Sequence, residues 1–495
     1  MVTQWADLLT SEQVRRVHEA SLEILENVGL LVRNEKAKAI FEKHGCLVDH
    51  QTEIVKLPPV VVEKYRRTIP PKFTFRGREP QYDRVMPDDS PVIITGSSAP
   101  NLIDPVTGEE RRAFSYDIAR IARLIQELPG YDVFSISTLA EDAPDGLYTV
   151  TRLYPTIKNC LKPIRSSALH AQDAEAILKL GYIVAGSEAA YRERPFITHH
   201  YCPVVSPLTM DFDSTEMLIY FTERGLPSYG SVVPNGGMSS PLTLLGTLVQ
   251  GNAEFLAWAS LMQMVRQGTP LIYSSLSTIA DMRRGSYSPG AIETGMLHMA
   301  HSQMARFYAV PSGGYIGLTN SKINDAQSGY ETAMSVTAGY LGGGDMLNMG
   351  GLVDALMCFD FAKAVIDDEI AMMLKRVRRG FEFSAENLSL DVIAAAGPGG
   401  TFLDKPQTYA LMKTTMFLSD LSDRDARNRW LKRGALDTQA RAMNRVREIL
   451  TATYPAFISP DVDARLRGEF PGLLDGDLTV PEGWAQPASA EAFPA

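Results

Sequence analysis

Between Val92 and Gly380 one unit recurs eight times: a short apolar strand, a polar or glycine-rich turn, and an amphipathic helix. The strands read 92–95, 133–138, 163–167, 196–203, 228–233, 271–276, 313–318 and 346–350. They are runs of apolar and small residues without strict alternation, the pattern of strands covered on both faces. Between them, Ile118, Ile121, Ala122 and Ile125 share one helix face, and so do Ala174, Ile177, Leu178, Gly181 and Ala185. Eight such units in succession predict an α/β fold, a closed (β/α)₈ TIM barrel over residues 86–380. Reacting groups in such barrels stand at the carboxyl ends of the strands, so chemistry is expected on the eight short turns that lead into the helices.

A chain of 495 residues exceeds one barrel, and the excess falls at both ends. Residues 1–85 read as an N-terminal helical segment. Thr10 or Ser11 can cap its first helix, with Gln13 placed for a capping box, and Val14, Val17, Ser21, Leu25 and Val28 keep helical spacing up to Gly29. A second helix runs from Asn34 to Gly45 over Ala37, Ile40 and Phe41, and Leu57-Pro58-Pro59 starts a third. This segment is expected to cap a barrel end or to make a subunit contact. Residues 381–495 read as a C-terminal helical extension and tail. The turn Gly397-Pro398-Gly399-Gly400 precedes helices near 405–415, 423–432 and 437–451, and the Pro- and Ala-rich end is expected to fray.

Charge and composition exclude some functions. A net charge of −10 argues against nucleic acid or an anionic membrane as partner. No stretch reaches the roughly 18 apolar residues of a membrane span, and the N-terminus lacks the pattern of a signal peptide. Cys46, Cys160, Cys202 and Cys358 are scattered and form no CxxC pair, as expected for free thiols in a reducing compartment. A soluble, cytoplasmic protein is the expectation.

Nucleotide-binding motifs are absent. Gly342-Gly343-Gly344 follows a helix and precedes a strand, the reverse of a dinucleotide turn, and there is no P-loop. His199, His200 and Cys202 lie on the fourth strand, where adjacent residues face opposite ways, so only one histidine can point inward. A zinc site needs three or four convergent ligands, and no bound metal is expected. His298 and His301 are three apart on a helix, spacing that also suits a packed face. The strand-end serines belong to no nucleophile elbow and read as filler for a narrow barrel. The strand ends do offer rings: Tyr201, Tyr229, Tyr273 and Tyr315 on the fourth to seventh strands, with Phe359 after the eighth. Several aromatic faces around one cavity can hold a quaternary ammonium ion by cation–π attraction, worth about 2 kcal/mol per ring when water is excluded.

Four segments carry a resemblance: Ile24-Leu25-Glu26-Asn27-Val28-Gly29, Ser321-Lys322-Ile323-Asn324-Asp325-Ala326-Gln327, Val365-Ile366-Asp367-Asp368-Glu369-Ile370 and Gly397-Pro398-Gly399-Gly400-Thr401-Phe402-Leu403. In that order they resemble the trimethylamine methyltransferase superfamily, including members that lack pyrrolysine and demethylate betaines. The resemblance implies a TIM barrel that moves an N-methyl group to a corrinoid. Cob(I)alamin is a strong nucleophile and a quaternary nitrogen leaves as a neutral amine, so the displacement needs alignment and a dry pocket more than acid–base groups. This chain has only the twenty standard residues, which shifts the expected substrate from trimethylamine to a quaternary amine, glycine betaine foremost. None of its eight histidines has Asp two residues before it, so the corrinoid (cobalamin) must come on a partner protein.

The expectation is therefore a corrinoid-dependent methyltransferase, a homo-oligomer, with Tyr201, Tyr229, Tyr273, Tyr315 and Phe359 as the cage. His200 and Asn348 would orient the substrate. For its carboxylate the cations near the mouth are Arg165, Arg283 and Lys322, with Asn320 and Asn348 as neutral donors. Two other readings stand beside it: a zinc-dependent methyltransferase or hydrolase using His200 and Cys202, and a non-catalytic betaine-binding barrel.

Overall fold

Eight short strands stand at the centre of the molecule: β1 (Val92–Ile94), β2 (Phe134–Ser135), β3 (Ile164–Ser166), β4 (Ile197–Tyr201), β5 (Ser228–Val232), β6 (Tyr273–Ser275), β7 (Ser312–Tyr315) and β8 (Met346–Asn348). The computed structural model that shows them describes residues 4–484; residues 485–495, where fraying was expected, lie outside the described residues. Each strand is parallel to the next, β8 pairs with β1 through Met346↔Val92 and Asn348↔Ile94, and the bridge Ile94↔Val133 closes the ring. The eight strands expected from the sequence are all present, and the fold is a TIM barrel.

A helix follows each strand: α1 (Ser115–Glu127), α2 (Tyr148–Asn159), α3 (Ala171–Ala185), α4 (Phe212–Glu223), α5 (Leu244–Val265), α6 (Ile292–Tyr308), α7 (Ala326–Leu341) and α8 (Phe361–Arg379). Asp211, Thr243, Asp325 and Asp360 begin four of them, each side chain accepting a hydrogen bond from a first-turn backbone N–H that has no partner within the helix. Helix α5 is buried almost all round, because a further layer covers its outer face. That layer is the N-terminal helix Ser11–Asn27, started by the expected Thr10–Gln13 capping box. Ser21 Oγ bonds to Val249 O (3.0 Å) and accepts from Asn252 Nδ2 (2.9 Å), which ties the layer to α5.

The N-terminal segment differs from its reading in one respect. It holds three short strands, Leu30–Val32, Leu47–Asp49 and Ile54–Lys56, besides its helices. They join Val204–Val205 and Thr209–Met210, from the loop after β4, in a five-stranded sheet. Strands of three residues are too short to leave a periodic signature. Gly29 enters this sheet at φ +82°, where a Cβ would lie 2.5 Å from Val55 O. The segment's helices cover the barrel's flank, and its last part covers an end. The end is sealed by a hairpin, Phe73–Phe75 with Arg84–Met86. Phe73, Phe75 and Met86 are buried against Val92, Ile94, Val133, Tyr229, Ile272 and Met346. Each phenyl ring so buried contributes about 2 kcal/mol, and the amino end of the barrel is closed.

At the carboxyl end the loops are longer than the short turns expected. Asn101–Ile103, Glu110–Arg112, Leu352–Val353 and Cys358–Phe359 form one small sheet there, and Asn235–Gly236, Thr278–Asp281 and Ser286–Tyr287 form another. Among the described residues no helix is long and apolar enough to cross a membrane. The C-terminal helix Thr438–Thr451 packs on α1 and α8, burying Ala442, Val446, Ile449 and Leu450.

Candidate active site

Strand parity decides which side chains enter the barrel. His200 and Tyr229 are register partners, as are Arg165 and Ser135, Ser231 and Ser274, and Tyr315 and Asn348. These residues share the inner face. Above them, at the carboxyl end, opens a cavity of about 430 Å³ bordered by residues from all eight βα units, including Ser97, Arg152, Arg165, His200, Tyr315 and Leu356.

Arg165 is the hub of its floor. Its Nε donates to Ser135 Oγ (2.8 Å), Nη1 to Tyr229 OH (3.3 Å), and Nη2 to Ser97 Oγ (2.8 Å) and Tyr315 OH. With its amide oxygen turned inward, Asn348 accepts from Nη1 (2.5 Å) and Nη2 (3.1 Å) while its nitrogen donates to Thr95 O (2.5 Å). Every acceptor in this set is a neutral oxygen. Among the described residues no carboxylate lies within ion-pair distance of Arg165, although the side chain is buried. An arginine keeps its proton in proteins, so the floor carries a desolvated positive charge without a counter-ion. Buried charges are ordinarily paired.

A second arginine repeats the pattern. Arg152, on α2, is buried at the cavity wall with Nε on Thr138 O (3.1 Å) and Nη2 on Ser98 Oγ (3.1 Å) and Ile136 O (3.2 Å). It too has no carboxylate partner among the described residues. The adjacent Ser97 and Ser98 thus serve one arginine each. Ser98 holds φ +62°, a strained left-handed conformation for a serine, of the kind that clusters at functional sites.

His200 faces Tyr229 with ring centroids 5.0 Å apart, and its Nε2 is 2.8 Å from Ser231 Oγ, which in turn meets Ser274 Oγ at 2.7 Å. Burial first, and the charge of Arg165 second, hold its pKa well below the usual histidine value. The imidazole is neutral at ordinary pH. Cys202 borders the cavity beside it, with burial raising its thiol to about 11. Among the described residues no group of three or more His, Cys, Asp or Glu converges as a metal site.

The residues expected to form an aromatic cup are not brought together. Tyr229 and Tyr315 point inward, but both hydroxyls are taken by Arg165, whose guanidinium also lies over the Tyr315 ring at 5.0 Å. Tyr201 borders the cavity only at its edge: its hydroxyl is turned to Ser228 Oγ (3.0 Å) and Thr222. Tyr273 points out of the barrel, bonded to Asn252 and His301 and packed on Phe255 at 4.0 Å. Phe359 is buried in the mouth sheet against Phe361. Asn320 clips two loops, accepting from Gly290 N and donating to Tyr287 O. Arg283 and Lys322 are exposed and paired with Asp281 and Asp354.

Sequence reasoning missed Arg152 and the Ser97-Ser98 turn. The one available signal was a lone charge, Arg152, in the otherwise uncharged run from Tyr148 to Ile157. The serines carry no signal, since filler and ligand look alike in composition. Around the cavity the loops expose Leu169, Met238, Leu242, Met282 and Met357, and α4 exposes its first residue Phe212, an apolar rim.

The profile of the trimethylamine methyltransferase (MTTB) family matches residues 2–470. The chain is 34% identical over 464 residues to a glycine betaine methyltransferase of Desulfitobacterium hafniense, covering 93% of this chain and 96% of that one. It is 31% identical over 458 residues to a trimethylamine methyltransferase of the same species, covering 92% of each. A trimethylamine methyltransferase of Methanosarcina mazei is 30% identical over 492 residues, 96% of each. A match that runs almost from end to end places the chain in the trimethylamine methyltransferase family: it is a methyltransferase.

Proposed function

We propose that this methyltransferase takes a methyl group from glycine betaine and delivers it to cob(I)alamin carried by a partner corrinoid protein, leaving dimethylglycine. The observation that carries the reading is the buried, counter-ion-free Arg165 on the cavity floor. A bare amine such as trimethylamine brings no anion to meet that charge; a betaine brings a carboxylate. The relative named as a glycine betaine methyltransferase supports the same choice.

Cob(I)alamin supplies an electron pair that bonds the methyl carbon while the C–N pair returns to nitrogen. The chain's own residues prepare the substrate for it. Arg165 draws the carboxylate to the floor by its charge, the Ser97 hydroxyl that accepts from it can donate to the carboxylate, and Arg152 with Ser98 adds positive potential at the wall. The ammonium end then lies towards His200 and the mouth, where the neutral imidazole adds no further repulsion. Nitrogen loses its positive charge as the methyl group departs. An aromatic cup would have stabilised that charge in the starting state, which this cavity, with its neutral imidazole, does not do. The apolar rim gives the carrier a surface that excludes water as it docks.

The test mixes the protein with cob(I)alamin and, separately, glycine betaine, trimethylamine and tetramethylammonium. Loss of cob(I)alamin absorbance should be fastest by far with glycine betaine. No loss with any betaine, or a preference for trimethylamine, would sink the proposal.

A further inference from the structure

Helix α8 ends at the closed end of the barrel, where Arg378 donates to Asp88 O just before β1. Beyond it, none of residues 381–420 is buried. The helices Leu390–Ala396 and Pro406–Leu411 bury nothing, and the chain returns along α8 through Arg376 on Thr415 O (3.2 Å) and Ser422 Oγ on Glu369 (3.0 Å). Yet this arm is rich in large apolar side chains: Phe381 is 97% exposed, Phe383 88%, Leu403 80% and Leu390 70%. With Tyr409, Met412 and Leu418 and their neighbours, ordinary side-chain areas put on the order of 1,500 Å² of bare apolar surface on the arm. The largest apolar patch of a typical monomer is about 300–600 Å². Permanent homo-oligomers bury about 2,000–5,000 Å² and are the more apolar class. The flank beside the arm is bare as well: Tyr330 and Met334 on α7, Met373 and Val377 on α8.

We propose that residues 381–418 are an intersubunit arm that packs on the α7–α8 flank of a second copy of this chain, with the exchange made in both directions. The corrinoid carrier is the wrong occupant. It must reach the open mouth, whereas the arm springs from the sealed end. A carrier also comes and goes, and a surface this apolar would be left in water between visits. A reciprocal contact covers both arms at once and closes on itself.

Light scattering on the purified full-length protein at micromolar concentration should give at least twice the 54.4 kDa chain mass. Hydrogen exchange should find the amides of the arm protected. The triple variant Phe381→Ser, Phe383→Ser, Leu403→Ser should fall to the single-chain mass with its far-ultraviolet spectrum unchanged and the arm's protection lost. A single-chain mass for the wild type overturns the proposal. So does an assembled wild type whose arm exchanges as fast as a free peptide, which holds even if the variant fails to fold. Arm protection that appears only on adding a corrinoid protein would likewise overturn it and assign the surface to the carrier.

Discussion

Replacing Arg165 with Gln tests the electrostatics of the cavity most directly. The guanidinium meets five neutral oxygens, those of Ser97, Ser135, Tyr229, Tyr315 and Asn348, and no carboxylate among the described residues. In the ligand-free protein its loss therefore strands no buried anion, and the glutamine amide can satisfy some of the same oxygens. With glycine betaine bound, the same loss leaves a desolvated carboxylate without its cation, which costs about 3–5 kcal/mol. At 1.4 kcal/mol per factor of ten, this is a rise of about a hundredfold to a few thousandfold in KM for glycine betaine. Because the carboxylate is held alike before and during methyl transfer, kcat should change far less. Tetramethylammonium has no carboxylate and should react with the variant no more slowly than with the wild type. Steady-state following of cob(I)alamin absorbance with both substrates gives the answer, with a thermal melt to confirm the fold. An equal loss on both substrates would show that Arg165 merely holds the barrel together, and the reasoning would fail.

Arg152→Gln should raise KM for glycine betaine about tenfold, the cost of one weaker, wall-side charge of about 1.4 kcal/mol, again sparing tetramethylammonium; a loss of soluble protein in place of a KM effect would make Arg152 structural. Tyr273→Phe should lower stability by about 1–2 kcal/mol through the lost bonds to Asn252 and His301 while leaving kcat/KM within about twofold. A large activity loss there, in a protein that still melts normally, would restore the aromatic cup. His199 stacks on Phe221 at 3.7 Å, neither ring nitrogen has a hydrogen-bond partner among the described residues, and burial lowers its pKa from 6.5 to about 3. The unfolded chain binds that proton below pH 6.5 and the folded one does not, so this stability is complete above pH 6.5 and lost as pH falls towards 3. His199→Phe should accordingly recover about 2 kcal/mol at pH 5 relative to pH 7 in urea titrations; an unchanged difference between the two pH values would contradict the assignment.

The barrel was legible because its strands are buried on both faces and its helices carry caps, so apolar runs and turn residues mark all eight units. Orientation within the barrel was less so. His200 and Tyr201 are neighbours on β4 and cannot both face inward, the same alternation that separates His199 from His200. Tyr273 pairs with Ser312, a position one step out of phase with the inward Ser274, and only the register between strands reveals this. Phe359 follows a strand in sequence but belongs to a sheet the sequence does not announce. Arg152 reaches the cavity from a helix, outside the strand ends where chemistry was sought. Arg165 and Asn348 could be named because they sit on strands, but their shared bond depends on two strands three positions apart around the closed ring.

The phenylalanine plug beneath β1 and β2 turns the barrel into a blind well. On the proposed reaction, methyl donor and cobalt carrier must use one doorway, and the carrier is the larger by far. Donor must then enter before the carrier seats, and the spent amine can escape only after it lifts away. Such a compulsory sequence predicts that dimethylglycine competes with glycine betaine, and that excess unmethylated carrier slows turnover by sealing empty wells; random-order kinetics would show that a side passage exists.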